Sequence, residues 1–296
     1  MVSKPVLLLI FAMICWALNT VLGQLAVGQV SPITVVFLRW AMVTAFVWPL
    51  FGSRVLADWP LIRPRLPMIA LMAALGFTGF NTLFYLAAHT TSAVNVGILQ
   101  GSMPVFVLLG AFFAFGTRIR PVQLVGAALG LAGVIMIATK GRPLGLLDLD
   151  VNPGDAIMLL ACALYAFYTL ALKKRPAISG LSFFTLMAPI AMVTAMPLLV
   201  AEIALKGIQW PSLQGWIVTL MIAIFPSFLA QLAFLRGVDA IGPGPAGVFM
   251  NLVPVFSAVM GVVFLGEQFR TFHAIGLTLV IAGIWLVQRQ NARASA

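Results

Sequence analysis

An offset of 150 residues lays this chain on top of itself, and that duplication limits the folds open to it more than any other feature. Pro104-Val105-Phe106 recurs as Pro254-Val255-Phe256, and Ala41 through Ala45 and Ala191 through Ala195 both read Ala-Met-Val-Thr-Ala. At the same offset Gly97 pairs with Gly247, Gly116 with Gly266, Arg120 with Arg270, Gly126 with Gly276 and Gly133 with Gly283. No gap is needed between residues 41 and 143. Shared apolar composition produces chance matches of leucine and valine. Glycine, proline and arginine coinciding at one offset needs a real repeat.

Each copy holds five apolar stretches, and a helix needs roughly 20 apolar residues to cross a ~30 Å hydrocarbon core. The ten spans read 5–27, 31–51, 67–88, 92–115, 121–140, 154–173, 181–205, 214–236, 244–265 and 271–288. Only 8% of the residues are charged and 62% are hydrophobic, whereas soluble domains carry about 25% charged residues. There are too few charges to coat a globule in water. Cys15 and Cys162 sit inside apolar stretches and read as small buried hydrophobes, with no disulfide or metal spacing. Ser31-Pro32 and Pro211-Ser212 supply helix starts. Lys4 before an apolar run resembles a secretory leader, but the run is long and its removal would break the repeat, so it is read as a retained span. The fold expected is an all-α membrane protein of ten helices, with repeats over 1–143 and 151–293. Because each copy has an odd number of spans, the second enters from the opposite side, an architecture of transporters with a midplane site.

Basic residues set the orientation. With the N-terminus inside, the inner segments hold Lys4, Arg54, Arg63, Arg65, Arg118, Arg120, Lys173, Lys174, Arg175, Arg236, Arg289 and Arg293; the outer ones hold Lys140, Arg142, Lys206 and Arg270. Both termini are therefore expected in the cytoplasm, in a cell inner (plasma) membrane. The net charge of +10 is scattered in small groups and forms no nucleic-acid patch.

The turn that closes each half carries a family resemblance. The second half reads Leu265-Gly266-Glu267-Gln268, then Ile275-Gly276 and Ala282-Gly283; the first reads Phe115-Gly116-Thr117-Arg118, then Val125-Gly126 and Ala132-Gly133. A five-plus-five chain with this pattern resembles the drug/metabolite transporter superfamily in its ten-helix EamA-type branch, and within it the bacterial broad-specificity and aromatic amino-acid exporters. Thr117 departs from the acidic residue often found after that glycine, and Glu267 reads as a helix-end polar group at the membrane surface. The resemblance implies export of small metabolites, foremost amino acids, by alternating access, and it supplies the direction.

Ionisable groups inside a membrane are functional candidates. Asp58, Asp148, Asp150, Asp155, Glu202, Asp239 and Glu267 all fall in loops or at span ends, so no midplane carboxylate is available to relay an ion. His89 and His273 lie near outer span ends and read as solvated interfacial groups. Arg39 is the charge deep in a span, ~12 Å along the helix from Ser31 at ~1.5 Å per residue. Two readings stand for it: a cation for a substrate carboxylate, or a guanidinium that satisfies carbonyls at a helix break. Pro104 and Pro254 interrupt matching spans and should free the carbonyls of Gln100 and Met250. Thr78, Asn81 and Tyr85 share a helix face, as do Trp16, Asn19 and Thr20, and Tyr165, Tyr168 and Thr169; Ser227 and Gln231 stand at i and i+4.

The substrate-binding candidates are Trp16, Asn19, Arg39, Thr78, Asn81, Tyr85, Gln100, Tyr165, Tyr168, Gln231 and Asn251, with Pro104 and Pro254 as hinges. Interhelical hydrogen bonding is the plainer account of the same amides. A glycine stripe of Gly126, Gly130 and Gly133, echoed by Gly276 and Gly283, is read as packing within the chain, with a dimer contact left open. The partners expected are a small-molecule substrate and the lipid bilayer; no cofactor, metal or catalytic residue is called for. Efflux of cationic or lipophilic drugs is the alternative cargo, disfavoured by the missing buried acid. An intramembrane enzyme finds no nucleophile–base or metal spacing.

Overall fold

The computed structural model describes residues 4–142, 152–207 and 209–294. Its regular elements are all helical. In chain order they are α1 (Lys4–Ala26), α2 (Pro32–Ala57), α3 (Trp59–Ala87), α4 (Ala93–Phe115), α5 (Pro121–Ala138), α6 (Pro153–Lys174), α7 (Gly180–Lys206), α8 (Leu213–Ile241), α9 (Pro243–Phe249 and Leu252–Leu265) and α10 (Thr271–Ala294). Among the described residues, α1 to α9 are each long and apolar enough to span a bilayer, and α10 has a shorter apolar stretch, Thr271–Leu286. The molecule is an all-α membrane protein built of two five-helix copies.

The caps read from the sequence form as expected. Ser31 accepts the Thr34 amide at 3.2 Å with Pro32 opening α2, and Ser212 accepts the Gly215 amide at 3.0 Å. Residues 52–66, expected as a loop, are helical instead. α2 runs on to Ala57, and α3 starts at Trp59 and passes through a 3-10 turn at Arg63–Arg65. The reason is packing: Val55 and Ile62 are buried with Ile69, Met72, Phe183 and Met187. The carboxylate of Asp58, between the two helices, accepts the Ser182 hydroxyl at 2.6 Å.

The copies interlock in a way that hydropathy does not reveal. α1 leaves its own half to pack on α8 and the second arm of α9, while α6 packs on α3 and the second arm of α4. The remaining helices meet their repeat partners, α2 against α7 and α5 against α10. The α5–α10 contact is built from the glycine stripes. A Cβ placed on Gly283 would lie 2.5 Å from the Gly126 carbonyl oxygen, and one on Gly133 would lie 2.7 Å from that of Gly276. Backbones this close leave no room for a side chain, and dispersion across such contacts holds helices together in lipid. Gly283→Leu is expected to cost about 1–3 kcal/mol or more by overpacking, read as a lower melting temperature in detergent. An unchanged melting temperature would show that α5 and α10 can separate without loss.

Candidate functional site

Two helices are broken at matching depths. α4 divides into Ala93–Gln100 and Met103–Phe115, and α9 into Pro243–Phe249 and Leu252–Leu265. Gly101 and Ser102 turn on three-residue bonds to Ile98 and Leu99, and Met250 and Asn251 turn on bonds to Gly247 and Val248. Pro104 and Pro254 lie in the first turn of each second arm, where a missing N–H costs nothing, so the breaks fall just ahead of them. The Met250 carbonyl, expected to be freed, accepts the Val253 amide at 3.1 Å. A broken helix brings dipole ends of both signs to mid-membrane, tolerable where backbone lines a cavity.

α3 and α8 each contain a π-helical segment, Ala74–Gly79 and Ala223–Leu229, at equivalent places in the repeat. An inserted turn of this kind is frequent at functional sites. Gly76 and Pro226, 150 residues apart, lie in these segments and are the sequence signal for them. Gly76 leaves room for the Tyr168 ring, whose Cγ would lie 2.4 Å from a Cβ there. Pro226 offers its carbonyl to Trp16 Nε1 at 3.0 Å. Asn81 and Gln231 each follow a π segment by two residues and reach the same space.

That space is a cavity of about 700 Å³. Trp16, Asn19, Arg39, Asn81, Gln100, Tyr165, Gln231, Asn251, Pro104 and Pro254 all line it. Trp40, Phe77, Phe80 and Phe184 add an aromatic wall that the sequence reading missed, with Trp40 and Phe77 stacked at 4.7 Å between ring centroids. Arg39 is 6% exposed and donates through one guanidinium nitrogen to Asn81 Oδ1 at 2.6 Å and to the Tyr85 hydroxyl at 2.9 Å. Tyr85 in turn donates to Asn19 Oδ1 at 2.9 Å. The Arg39 Nε is buried with no partner, and the guanidinium carbon lies 5.0 Å from the Trp40 ring centroid. No ion pair to Arg39 exists among the described residues.

Three expected wall residues stand behind the cavity. Thr78 donates to the Ala191 carbonyl at 2.9 Å and meets Thr194, tying the π segment to α7. Tyr85 is buried and props Arg39 from behind. Tyr168 fills the notch at Gly76, packed edge-on against Phe77. Asn81 and Gln231 are also unequal: Asn81 is tied to Arg39 and to the Phe77 carbonyl, whereas Gln231 is half-buried on the wall. The repeat position matching Arg39 is Pro189, so only one half supplies the cation.

The cavity is shut at one end and open at the other. At the shut end, Glu267 accepts the amides of Ala93 and Val94 at 2.7 and 2.8 Å, closing α9 onto the start of α4. Glu267 is thus a cap across the repeat, not a surface group. A Cβ on Gly97 would lie 2.1 Å from that of Ser257. Beside this contact Asn95 donates to Asp155, which also accepts the Thr91 hydroxyl, and Asn95 Oδ1 meets His273 Nε2 at 3.1 Å. Since His273 Nδ1 accepts the Arg270 amide, Nε2 carries the proton and donates. His273, expected to be solvated, is 6% exposed; His89 is exposed. At the other end the counterparts have parted. A Cβ on Gly247 would meet nothing within 4 Å, and Val107 and Thr117, which match Ser257 and Glu267, stand on the cavity wall with exposed Arg118, Arg120 and Lys173.

The model of the EamA-like transporter family matches residues 3–139 and again residues 152–289. A relative from Archaeoglobus fulgidus, described as an uncharacterized transporter, is 26% identical over 96% of this chain and 97% of its own. The threonine/homoserine exporter RhtA of Escherichia coli (strain K12) is 27% identical over 74% of this chain and 69% of its own. A solved crystal structure superposes with a TM-score of 0.65 at 19% identity, covering 99% of both chains, which speaks to the fold alone.

Proposed function

This chain belongs to the EamA-like transporter family, and on that premise we propose that it exports small metabolites, foremost amino acids, from the cytoplasm by alternating access. The carrying observation is Arg39. A buried cation with no carboxylate partner among the described residues, on the wall of a chamber of about 700 Å³, leaves its counter-charge to be brought by the solute. A buried charge without a counter-charge is strongly unfavourable, and guanidinium matches carboxylate in shape and donors. Trp16, Trp40 and Tyr165 are aromatic surfaces for an ammonium group, and Gln100, Gln231 and Asn251 are amides for the remaining polar atoms. The relative named as a threonine/homoserine exporter supports the same class of cargo.

The open end carries Arg118, Arg120 and Lys173, and the positive-inside rule assigns it to the cytoplasm. The protein is thereby held in its inward-open form in a cell inner membrane, and works as a carrier with no catalytic step. Closing Gly247 onto Val107 while parting Gly97 from Ser257 would turn the cavity to the other side, since the two contacts are repeat equivalents. Counterflow of labelled amino acids in proteoliposomes tests the reading: saturable exchange that unlabelled substrate competes with is expected. Gln231→Ala should lower it about two- to thirteenfold, the value of one lost hydrogen bond of about 0.5–1.5 kcal/mol. Absence of exchange for every amino acid sinks the cargo assignment.

A further inference from the structure

The cavity carries charge of one sign. Arg39 stands deep in it, Arg118, Arg120 and Lys173 stand at its open end, and no described aspartate or glutamate lines it. Lys173 is held there, its Nζ 4.2 Å from the Phe115 ring centroid. Asp148 and Asp150 lie outside the described residues, and the described acids stand elsewhere. Asp58 accepts from Ser182 at 2.6 Å, Glu202 from Ser31 at 2.5 Å, Asp155 from Thr91 and Asn95, and Glu267 from the α4 amides. Asp239 is exposed on α8 and off the wall. Membrane topology asks for basic residues somewhere at this end; it does not ask for them on a cavity wall, nor for Arg39 above them.

A zwitterion neutralises Arg39 with its carboxylate but carries an ammonium past three further cations. A solute with a surplus carboxylate is instead drawn in, since a cleft lined by one sign of charge focuses the field and raises the local concentration of the opposite ion. We infer that the cargo of this cavity bears net negative charge: an amino acid or related small acid with one more carboxylate than ammonium groups. The inference rests on the cavity being the solute path argued above, and it supplies a driving force. No described carboxylate lines the wall to exchange a proton or sodium ion, whereas moving an anion out of a negative interior is favoured by the membrane potential itself. One charge gains about tenfold in gradient per 60 mV.

The test uses the full chain in vesicles of phosphatidylethanolamine and phosphatidylglycerol, with valinomycin and a potassium gradient setting an interior-positive potential of about 60 mV. Labelled glutamate, phenylalanine and lysine are the probes. Glutamate is expected to accumulate about tenfold above its zero-potential level. Lysine should not be carried, and any phenylalanine exchange should ignore the potential. Lysine carried as fast as glutamate, glutamate indifferent to potential, or phenylalanine exchanging while glutamate does not would each overturn the inference and leave the amino-acid reading intact. Failure of all three probes takes the cargo reading down with it. Arg118→Glu combined with Lys173→Glu, both on exposed positions, should narrow the preference for glutamate over lysine by at least about tenfold at low salt. An unchanged preference removes these two cations from the selection of cargo.

Discussion

Arg39→Gln is expected to lower counterflow by about a hundredfold while leaving the protein at least as stable as before. Removing one partner of a buried, hydrogen-bonded charge pair costs roughly 2–5 kcal/mol, and on the proposed reading a substrate carboxylate supplies the counter-charge that no described residue gives this guanidinium. The stability half of the expectation separates the two readings of the residue. A charge at the centre of a bilayer costs about 2.5–3.5 kcal/mol on insertion scales, so its removal relieves the fold even though Asn81 and Tyr85 lose a donor. If Arg39 were there to hold the helices, the melting temperature would fall together with flux. Arg39→Lys keeps the charge but not the planar fork, and should recover part of the flux. Flux and melting temperature measured on the same three preparations decide the matter.

Glu267→Ala should release the shut end. Two charge-assisted hydrogen bonds, each worth about 1.5–3 kcal/mol, hold Ala93 and Val94 to α9, and losing them shifts the balance of open forms by roughly a hundredfold or more. The open end lacks the residues that make this hold. Thr117 stands where the repeat has Glu267, and Pro243, which has no N–H, stands where it has Ala93. Both the acid and one of the two donors are missing, which gives a physical reason for the structure to rest open on that side. Single cysteines at Ser257 and Val107, in a background with Cys15 and Cys162 replaced, report the two ends to a membrane-impermeant maleimide. In the parent, position 107 should react and the fully buried position 257 should not. In Glu267→Ala, labelling at 257 should rise and labelling at 107 should fall. A rise at 257 with no fall at 107 would mean that the shut end has merely frayed, and that the two ends are not alternatives of one motion.

The candidate site is partly legible in the sequence. Arg39, Asn81 and Gln231 stood out because a charge or amide in an apolar run needs a reason to be there, and the repeat showed that the last two were equivalent by position. What it could not show is that they are unequal in use, because Arg39 has no counterpart in the second half and claims Asn81 for itself. Thr78, Tyr85 and Tyr168 share helix faces with wall residues, yet the π segment and the notch at Gly76 turn them to packing and support. The basic residues at the mouth read as topology signals, and helical spacing gave no hint that the loop after Gly116 borders the chamber.

Hydropathy and a 150-residue register were enough to read an all-α membrane protein and the duplication of its five-helix unit, because each follows from the chemistry of one segment at a time. The exchange of α1 and α6 between halves, the inward breaks of α4 and α9, and the closing of one end by Glu267 belong to the tertiary structure. In lipid every apolar helix face is equally satisfied by acyl chains, so composition cannot choose a helix's neighbours. That choice is made by backbone approach at a few glycines and by hydrogen bonds between residues more than a hundred positions apart, as between Glu267 and the first amides of α4.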